Sequence, residues 1–367
     1  MMEAAPDRSQ VTAPGLLRHT RHNTEASSIG MRFWARSIGD RNPRHVAESY
    51  VSPSGGLGFV AHPCWLYSVQ DTIITAGAPH LHPVIAGTEW TFRRHVVAGD
   101  RVYSVARLLG ESVRETRFAG PSAWQRIGVQ YVDALGAEIA TAVSTLVRVD
   151  PEAARQSSRH AGWRRWRYTE EELLRIERAY DAEQVRGGEP RHWEDVAVGE
   201  SLPPIVRGPL SSEEVVLFVG ATRHIPGAAA FTRDLAQGRA AGFIHPRTGA
   251  YESYAAGLVD DESARQLGFP AAHDYGIDRI SQLGSIVINW IGDAGRLVEL
   301  NARLLEPNML GDTTWFSGRV VGKQALEGDG RVDIEVVGTN QRGQVTVRGT
   351  AGVSLPRRRW TKPEATR

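Results

Sequence analysis

The stretch that indicates the fold is residues 87–109, which reads GTEWTFRRHVVAGDRVYSVARLL. Apolar and polar residues alternate on both sides of Gly99-Asp100, a pattern typical of two half-buried strands joined by a tight turn. A helical pattern at about 63–76 comes before it. The strands predicted in this half of the chain are 87–95, 101–109, 123–132 and 139–149. One long helix followed by four antiparallel strands predicts a sheet wrapped around a helix.

The same pattern recurs in the second half of the chain at an offset of 212 residues. Gly311-Asp312 again separates two alternating runs, and a helical pattern at about 274–290 again comes before them. The strands predicted here are 297–305, 313–321, 331–339 and 345–354. A repeat of this kind indicates two copies of one structural unit. Two such units can pair their sheets edge to edge, which also covers exposed sheet edges.

The segments outside the two copies differ from them in composition. We expect a disordered tail at 1–27, an N-terminal unit at 28–150, a linker at 151–190, a C-terminal unit at 191–357 and a tail at 358–367. Within the linker, 169–184 predicts a helix that begins with Thr169 as its N-cap and a glutamate at the capping-box position. A segment at about 228–269 has no counterpart in the first copy and predicts an inserted loop.

Composition excludes several classes of protein. The chain has 367 residues with 43 Lys+Arg against 42 Asp+Glu, so a nucleic-acid binder held by bulk positive charge is not expected. Cys64 is the only cysteine, which excludes an intrachain disulfide and argues against a Cys-rich zinc site. No window of about 18 apolar residues predicts a membrane span, and residues 1–28 lack the apolar core of a secretory signal. The default expectation is a soluble cytoplasmic protein.

Residues 35–45, ARSIGDRNPRH, carry the side chains of acid–base chemistry. A helical pattern ends at Gly39, and Asn42-Pro43 predicts a turn that brings Asp40 and His45 side by side. A carboxylate and an imidazole that share one water can add that water to a double bond. The same turn also has a purely structural interpretation, because Asp and Asn side chains often bond nearby backbone.

This stretch resembles the hydratase signature of the MaoC-like, R-specific enoyl-CoA hydratases (the hydratase 2 family), a small residue followed by G-D-x-N-P and x-H. The segments 81–102, 274–295 and 308–320 likewise resemble the two-domain acyl dehydratases, so the resemblance covers about residues 28–357. It implies an α+β double hot-dog fold, with two antiparallel sheets that each wrap around a long central helix.

The resemblance also implies a reaction. Asp40 and His45 would activate a water that adds to C3 of a trans-2-enoyl-CoA, and the reverse reaction would dehydrate a 3-hydroxyacyl-CoA. It implies no cofactor and no metal. The backbone N–H groups of Cys64 and Trp65, at the start of the first long helix, are candidates to bind the thioester oxygen, since a helix N-terminus offers free donors. Asn42 is a further candidate for positioning the substrate.

The second copy lacks the catalytic pair. Its corresponding segment, 220–229, reads GATRHIPGAA, with His224 at the aspartate position and Ala228 or Ala229 at the histidine position. The sequence therefore predicts one active site per chain, in the first half.

Other functions remain open. The same residues could serve a biosynthetic tailoring dehydratase or cyclase that acts on a carrier-protein thioester. A non-catalytic hot-dog subunit would instead scaffold an active partner. The expected ligand is an acyl-CoA or an acyl-carrier-protein thioester, and the expected assembly is a homodimer or a complex with another hot-dog chain.

Two weaker signals have ordinary interpretations. A nucleophilic Cys64 would make the protein a thioesterase or acyltransferase, but a buried cysteine more often serves as a small hydrophobic residue. His80 and His82 are spaced as a metal pair could be, yet no carboxylate lies at ligand spacing, so a metal is not expected.

Overall fold

The computed structural model describes residues 15–17, 23–53, 55, 57–70, 80–157, 159–222, 242–326 and 328–358. Its strands are β1 (Gly15–Leu17), β2 (His82–Phe92), β3 (Tyr103–Thr116), β4 (Gly120–Val132), β5 (Glu138–Val149), β6 (Ser201–Arg207), β7 (Gly242–Ile244), β8 (Tyr251–Ser253), β9 (Arg296–Leu304), β10 (Thr314–Ala325), β11 (Asp329–Asn340) and β12 (Val345–Pro356). Its α-helices are α1 (Ser28–Ser37), α2 (Pro43–Val46), α3 (Pro151–Gln156), α4 (Glu170–Asp181), α5 (Ser212–Thr222), α6 (Asp261–Gln266) and α7 (Ile277–Ile291). Short 3₁₀ helices are Pro63–Ser68, Trp193–Asp195 and Tyr254–Leu258.

Ten strands form one antiparallel sheet, in the order β1-β3-β4-β5-β2-β9-β12-β11-β10-β6. The two repeated units meet at β2 and β9, where Gly87 pairs with Arg303 and Thr91 pairs with Glu299. The expected edge-to-edge pairing is therefore confirmed. The two predicted sheets form one continuous sheet, because this pairing satisfies the backbone groups that each unit would otherwise leave exposed at its edge.

Helix α7 is the central helix of the second unit. Every one of its 15 residues is buried, and it packs against strands of both units. A helix that is buried all round must pair its own polar groups, and Gln282 donates a 2.9 Å hydrogen bond to Asp278 one turn away. The first unit has a 3₁₀ helix, Pro63–Ser68, at the start of the predicted 63–76 helix. Residues 71–79 lie outside the described part of the chain.

Neither of the two edge strands of the sheet, β1 and β6, was predicted from the sequence. β1 lies in the stretch 1–27 that we expected to be disordered, yet it pairs with β3. Its three residues are too few to show an alternating pattern. β6 pairs with β10 at the opposite edge and contains Pro203 and Pro204, which a sheet tolerates at its edge but not within it. Of the predicted C-terminal tail, 358–367, only Arg358 is described.

The linker helix α4 begins as predicted. Thr169 is its N-cap, and Glu172 completes the capping box. Its last turn contacts the first unit, since Arg41 donates a 2.7 Å hydrogen bond to the carbonyl of Tyr180. The Tyr180 hydroxyl in turn donates to the carbonyl of Gly208, just after β6. The linker helix thus connects the predicted catalytic stretch to an edge of the sheet.

One hydrophobic core extends through both units. Helices α1 and α5, which occupy corresponding places in the two copies, pack together through Trp34 and Phe218, whose ring centroids are 5.2 Å apart. Trp34, Trp65 and Trp90 are fully buried in this core. Among the described helices, none is long and apolar enough to span a membrane.

Candidate active site

Helix α1 ends where the sequence predicts, at Gly39. The Gly39 N–H donates to the carbonyl of Arg36 at 3.1 Å, and the Asp40 N–H donates to the carbonyl of Ala35 at 2.9 Å. This pair of hydrogen bonds is a Schellman motif, which needs a left-handed residue, and Gly39 has φ 69°. A Cβ on Gly39 would lie 3.0 Å from Nε of Arg207. Glycine is required here by both conformation and space.

We expect Gly39→Ala to lower the free energy of unfolding by about 1–3 kcal/mol, since a side chain in this conformation is strained and would also press on Arg207. Gly343→Ala is the matched control, because Gly343 has φ 75° but open space around its Cβ position. Urea denaturation of both variants measures the difference. Equal losses in the two would show that the contact with Arg207 contributes nothing.

Asn42 shapes the turn that follows. Its side-chain oxygen accepts the Arg44 N–H at 3.0 Å and so caps α2, in which Pro43 is the first residue. Its own backbone N–H donates to Oδ1 of Asp40 at 2.9 Å. Asn42 therefore holds Asp40 and starts the helical turn that carries His45. The sequence predicted a substrate-positioning role for Asn42, and here its side-chain oxygen serves as a helix cap.

Asp40 and His45 are in direct contact. Oδ2 of Asp40 lies 2.6 Å from Nδ1 of His45, and both side chains are buried. The expected juxtaposition is present, although the two groups bond each other at these atoms and do not hold a water between them. Burial raises the pKa of Asp40, but the charge of His45 and its hydrogen bond, with smaller effects of His62 and the Asn42 N–H, leave the pKa below its ordinary value.

An ionised Asp40 fixes the tautomer of His45. The carboxylate accepts the proton on Nδ1, so Nε2 of the neutral ring carries the lone pair. Within the described residues no hydrogen-bond partner occupies Nε2. The pair therefore presents a base whose orientation is set by a carboxylate.

A second buried histidine, His62, lies beside the pair, and sequence analysis did not identify it as a functional residue. Its ring lies edge-on to that of His45, with 5.4 Å between centroids. Nδ1 accepts the N–H of Cys64 at 3.2 Å, so the proton of the neutral ring is on Nε2, which is 3.3 Å from Oγ of Ser285. Burial lowers the pKa of His62 to about 3. Its position directly before Pro63, at the helix N-cap, is the signal that could have identified it.

The predicted thioester donors already have partners. The Cys64 N–H donates to the His62 ring, and the Trp65 N–H donates to the His62 carbonyl at 2.8 Å. The expectation of free N–H groups fails here because a 3₁₀ helix pairs residues three apart and its cap residue takes another donor. Burial also raises the pKa of the Cys64 thiol to about 12, which agrees with its interpretation as a buried hydrophobic residue.

Residues of the second unit also contact the site. Arg44 donates a 2.9 Å hydrogen bond to the carbonyl of Asp293, just beyond the end of α7. Tyr50 donates to the carboxylate of the same residue at 2.7 Å. Ser285, which contacts His62, also belongs to α7. The site therefore contains groups from both repeated units.

The segment that corresponds to the motif in the second copy begins at the end of α5. His224, Ala228 and Ala229 lie outside the described residues. The part of the inserted segment 228–269 that is described, from Gly242 onward, forms the β7–β8 hairpin, a 3₁₀ helix and α6. In the part of the chain that the structure describes, no cluster of three or more His, Cys, Asp or Glu side chains could hold a metal.

We expect acid to destabilise the protein between pH 6.5 and about 3, since burial lowers the pKa values of His62 and His82 from 6.5 to about 3. In this window the unfolded chain binds more protons than the folded chain. The free energy of unfolding therefore falls as the pH falls, by at most about 1.4 kcal/mol per pH unit for each histidine. Urea unfolding at several pH values measures the slope, and His82→Phe should make it shallower. An unchanged slope in this variant would contradict the assignment.

Comparison with known proteins gives matches to dehydratases. Residues 19–142 match the family model described as "FAS1-like, dehydratase domain region". A solved structure called MaoC-like dehydratase is 18% identical and has a TM-score of 0.63, covering 96% of this chain and 99% of its own. A putative MaoC domain dehydratase from Chloroflexus aurantiacus is 13% identical with a TM-score of 0.58, covering 97% and 100%. No curated protein matches the chain.

The double hot-dog architecture has a direct counterpart. A conserved hypothetical protein of Mycobacterium tuberculosis, described as having a double hotdog fold, is 12% identical with a TM-score of 0.52 and covers 95% of this chain and 96% of its own. The chain has the hot-dog fold of the MaoC-like dehydratases, and its first unit matches a dehydratase region. The hot-dog fold that the resemblance implied is thereby confirmed.

Proposed function

We propose that the protein is a hydro-lyase that acts on acyl thioesters and catalyses the reversible hydration of trans-2-enoyl-CoA to 3-hydroxyacyl-CoA. The observation that carries the proposal is the buried Asp40–His45 pair, with 2.6 Å between Oδ2 and Nδ1. The match of the first unit to a dehydratase region and the fold of the whole chain support the reaction class.

In the hydration direction, Nε2 of His45 takes a proton from water while the water oxygen bonds to C3 of the enoyl group. The electron pair of the double bond moves onto C2 and the thioester carbonyl. His45, now an imidazolium stabilised by Asp40, returns the proton to C2. Dehydration runs through the same steps in reverse. A positioned base of this kind typically contributes about 10²–10⁴ in rate.

The thioester oxygen gains negative charge during the reaction and needs a donor. We assign this role to the Nε2–H of His62, since the N–H groups of Cys64 and Trp65 already have acceptors. A neutral imidazole with a lowered pKa donates a hydrogen bond without releasing its proton. Its present 3.3 Å contact with Ser285 is long for a hydrogen bond and is readily exchanged for a carbonyl oxygen.

The test is the hydration of crotonyl-CoA by the purified chain, followed as loss of the enoyl absorbance and formation of the 3-hydroxyacyl product. The same assay with a crotonyl carrier-protein thioester distinguishes the two carriers. Size-exclusion chromatography of the same sample gives the assembly state. This measurement tests the alternative of a non-catalytic subunit, which would be inactive alone and would need a second hot-dog chain. Absence of product with both thioesters, from a folded chain, would refute the proposal.

A further inference from the structure

A separate cavity of about 350 Å³ lies at the N-terminal end of α7. Gly276, which immediately precedes the helix, lines it. Ser285, the residue of α7 that contacts His62, is nine residues further along, or about 13 Å at the rise of an α-helix. The cavity is therefore at some distance from the Asp40–His45 pair, and neither residue of the pair lines it.

The walls of the cavity are mainly apolar and come from both units. Phe118 and Phe269 line it with their ring centroids 4.9 Å apart. Strands β2, β5 and β9 contribute Val84, Val149 and Leu304. A concave apolar surface with a few polar groups is the usual composition of a small-molecule site.

Two buried imidazole nitrogens in these walls have no hydrogen-bond partner among the described residues, Nδ1 of His82 and Nε2 of His273. The two side chains are more than nine-tenths buried, and both rings pack on Phe269. Nδ1 of His273 lies 2.8 Å from the carbonyl of Asp274, so this nitrogen carries the proton and Nε2 is an acceptor. Burial lowers the pKa of both histidines, so the rings are neutral. An unpaired buried polar atom is costly, and a bound donor or acceptor removes that cost.

The charged groups of the cavity are paired with each other. Arg279 forms a 2.6 Å ion pair with Asp274, and Arg159 forms a 2.6 Å ion pair with Glu306. A charged ligand would therefore find no uncompensated partner among the described lining residues. The polar groups that remain for a ligand are the neutral imidazoles of His82 and His273, which form uncharged hydrogen bonds.

We propose that this cavity binds an uncharged, mainly apolar group that carries a hydroxyl, recognised by His82 and His273. The hydroxyl proton is donated to Nε2 of His273. Two sources supply such a group: a free small molecule, or the far end of an acyl thioester whose reacting carbons lie at Asp40–His45. The second source rests on the proposed function, and the first does not.

The free-ligand arm compares p-cresol with toluene, which share a shape but differ in the hydroxyl. We expect the full chain to bind p-cresol about tenfold more tightly than toluene in ligand-observed NMR titrations. His273→Phe should abolish this preference, and Val84→Phe should weaken both probes by filling the cavity. Val113→Phe is the matched control, because Val113 is 45% exposed on β3 and does not line the cavity, so it should change neither.

The acyl arm compares kcat/KM for trans-2-tetradecenoyl-CoA and its 14-hydroxy derivative. If the occupant is the far end of the substrate, the hydroxylated thioester is favoured about tenfold, and His82→Phe and His273→Phe abolish the preference. Crotonyl-CoA carries a single carbon beyond the reacting C3, so it does not reach the cavity and its kcat/KM stays unchanged in both variants.

The wild-type comparisons need no variant and so do not depend on whether a variant folds. A hydroxyl preference in the acyl arm supports the substrate as the source, and a preference in the NMR arm alone supports a free ligand. Equal affinity for p-cresol and toluene, together with equal kcat/KM for the two tetradecenoyl thioesters, would overturn the proposal. Absence of crotonyl-CoA turnover would count against the proposed function only, because p-cresol binding is measured without turnover.

Discussion

His45→Gln is expected to lower kcat for enoyl-CoA hydration by about 10²–10⁴, because an amide in place of the imidazole cannot take a proton from water. Asp40→Asn is expected to cost a similar factor. The asparagine amide would donate to Nδ1 of His45 and so place the ring proton on Nε2, where the lone pair is needed. Steady-state kinetics with crotonyl-CoA measure both losses.

His245→Gln is the matched control for this prediction. His245 is also a buried histidine with a local role, since its Nδ1 accepts the backbone N–H groups of Arg247 and Thr248. Its replacement by glutamine should leave kcat within a factor of about two. Wild-type turnover in both Asp40→Asn and His45→Gln would remove the pair from the mechanism, whatever the control shows.

His62→Phe is expected to lower kcat by about 10²–10³ with little change in KM, because the negative charge on the thioester oxygen develops only in the transition state. His62→Gln keeps an N–H donor on a flexible side chain and should recover part of the loss. Since the pKa of His62 is about 3, its removal should not shift the acidic limb of the pH–kcat profile above that value.

Ser285→Ala tests whether the His62 donor depends on the Ser285 hydroxyl that contacts it. It removes the 3.3 Å contact with Nε2 of His62 and the 3.3 Å hydrogen bond from Ser285 to the carbonyl of Ser281, and it should lower kcat much less than His62→Phe. If His62→Gln and His62→Phe lose kcat equally, and both also lower the free energy of unfolding equally, His62 is a structural residue and the thioester oxygen has another donor.

Most of the fold could be predicted because its signals are local. The strands on either side of Gly99 and Gly311 alternate clearly, and both glycines have the positive φ that a turn needs. The strands next to each turn nevertheless pair with other strands and not with each other, since β2 pairs with β5 and β9 pairs with β12. The two edge strands could not be predicted in the same way. β1 has three residues, and the prolines of β6 oppose a strand unless an edge position is known. The joining of the two units into one sheet through β2 and β9 could not be predicted from local patterns either, because these strands are far apart in the chain.

The same difference between local signals and long-range contacts applies to the site. Asp40 and His45 are five residues apart, so the turn between them could be inferred from Gly39 and Asn42. His62 and Ser285 are separated by 223 residues, and no local pattern predicts that they meet. The N–H groups of Cys64 and Trp65 were expected to be free on the general property of helix N-termini. Sequence alone did not show that the preceding histidine would accept both.

The continuous sheet has a consequence for how the two copies can differ. In a symmetric dimer of single units every substitution appears on both sides of the interface, so neither half can change alone. Here β2 and β9 join the halves within one chain, and each copy can change by itself. His62 in the first copy and His273 in the second show the result. One stands beside a base and contacts Ser285, whereas the other lines an apolar cavity, so the two copies have become free to serve different ligands.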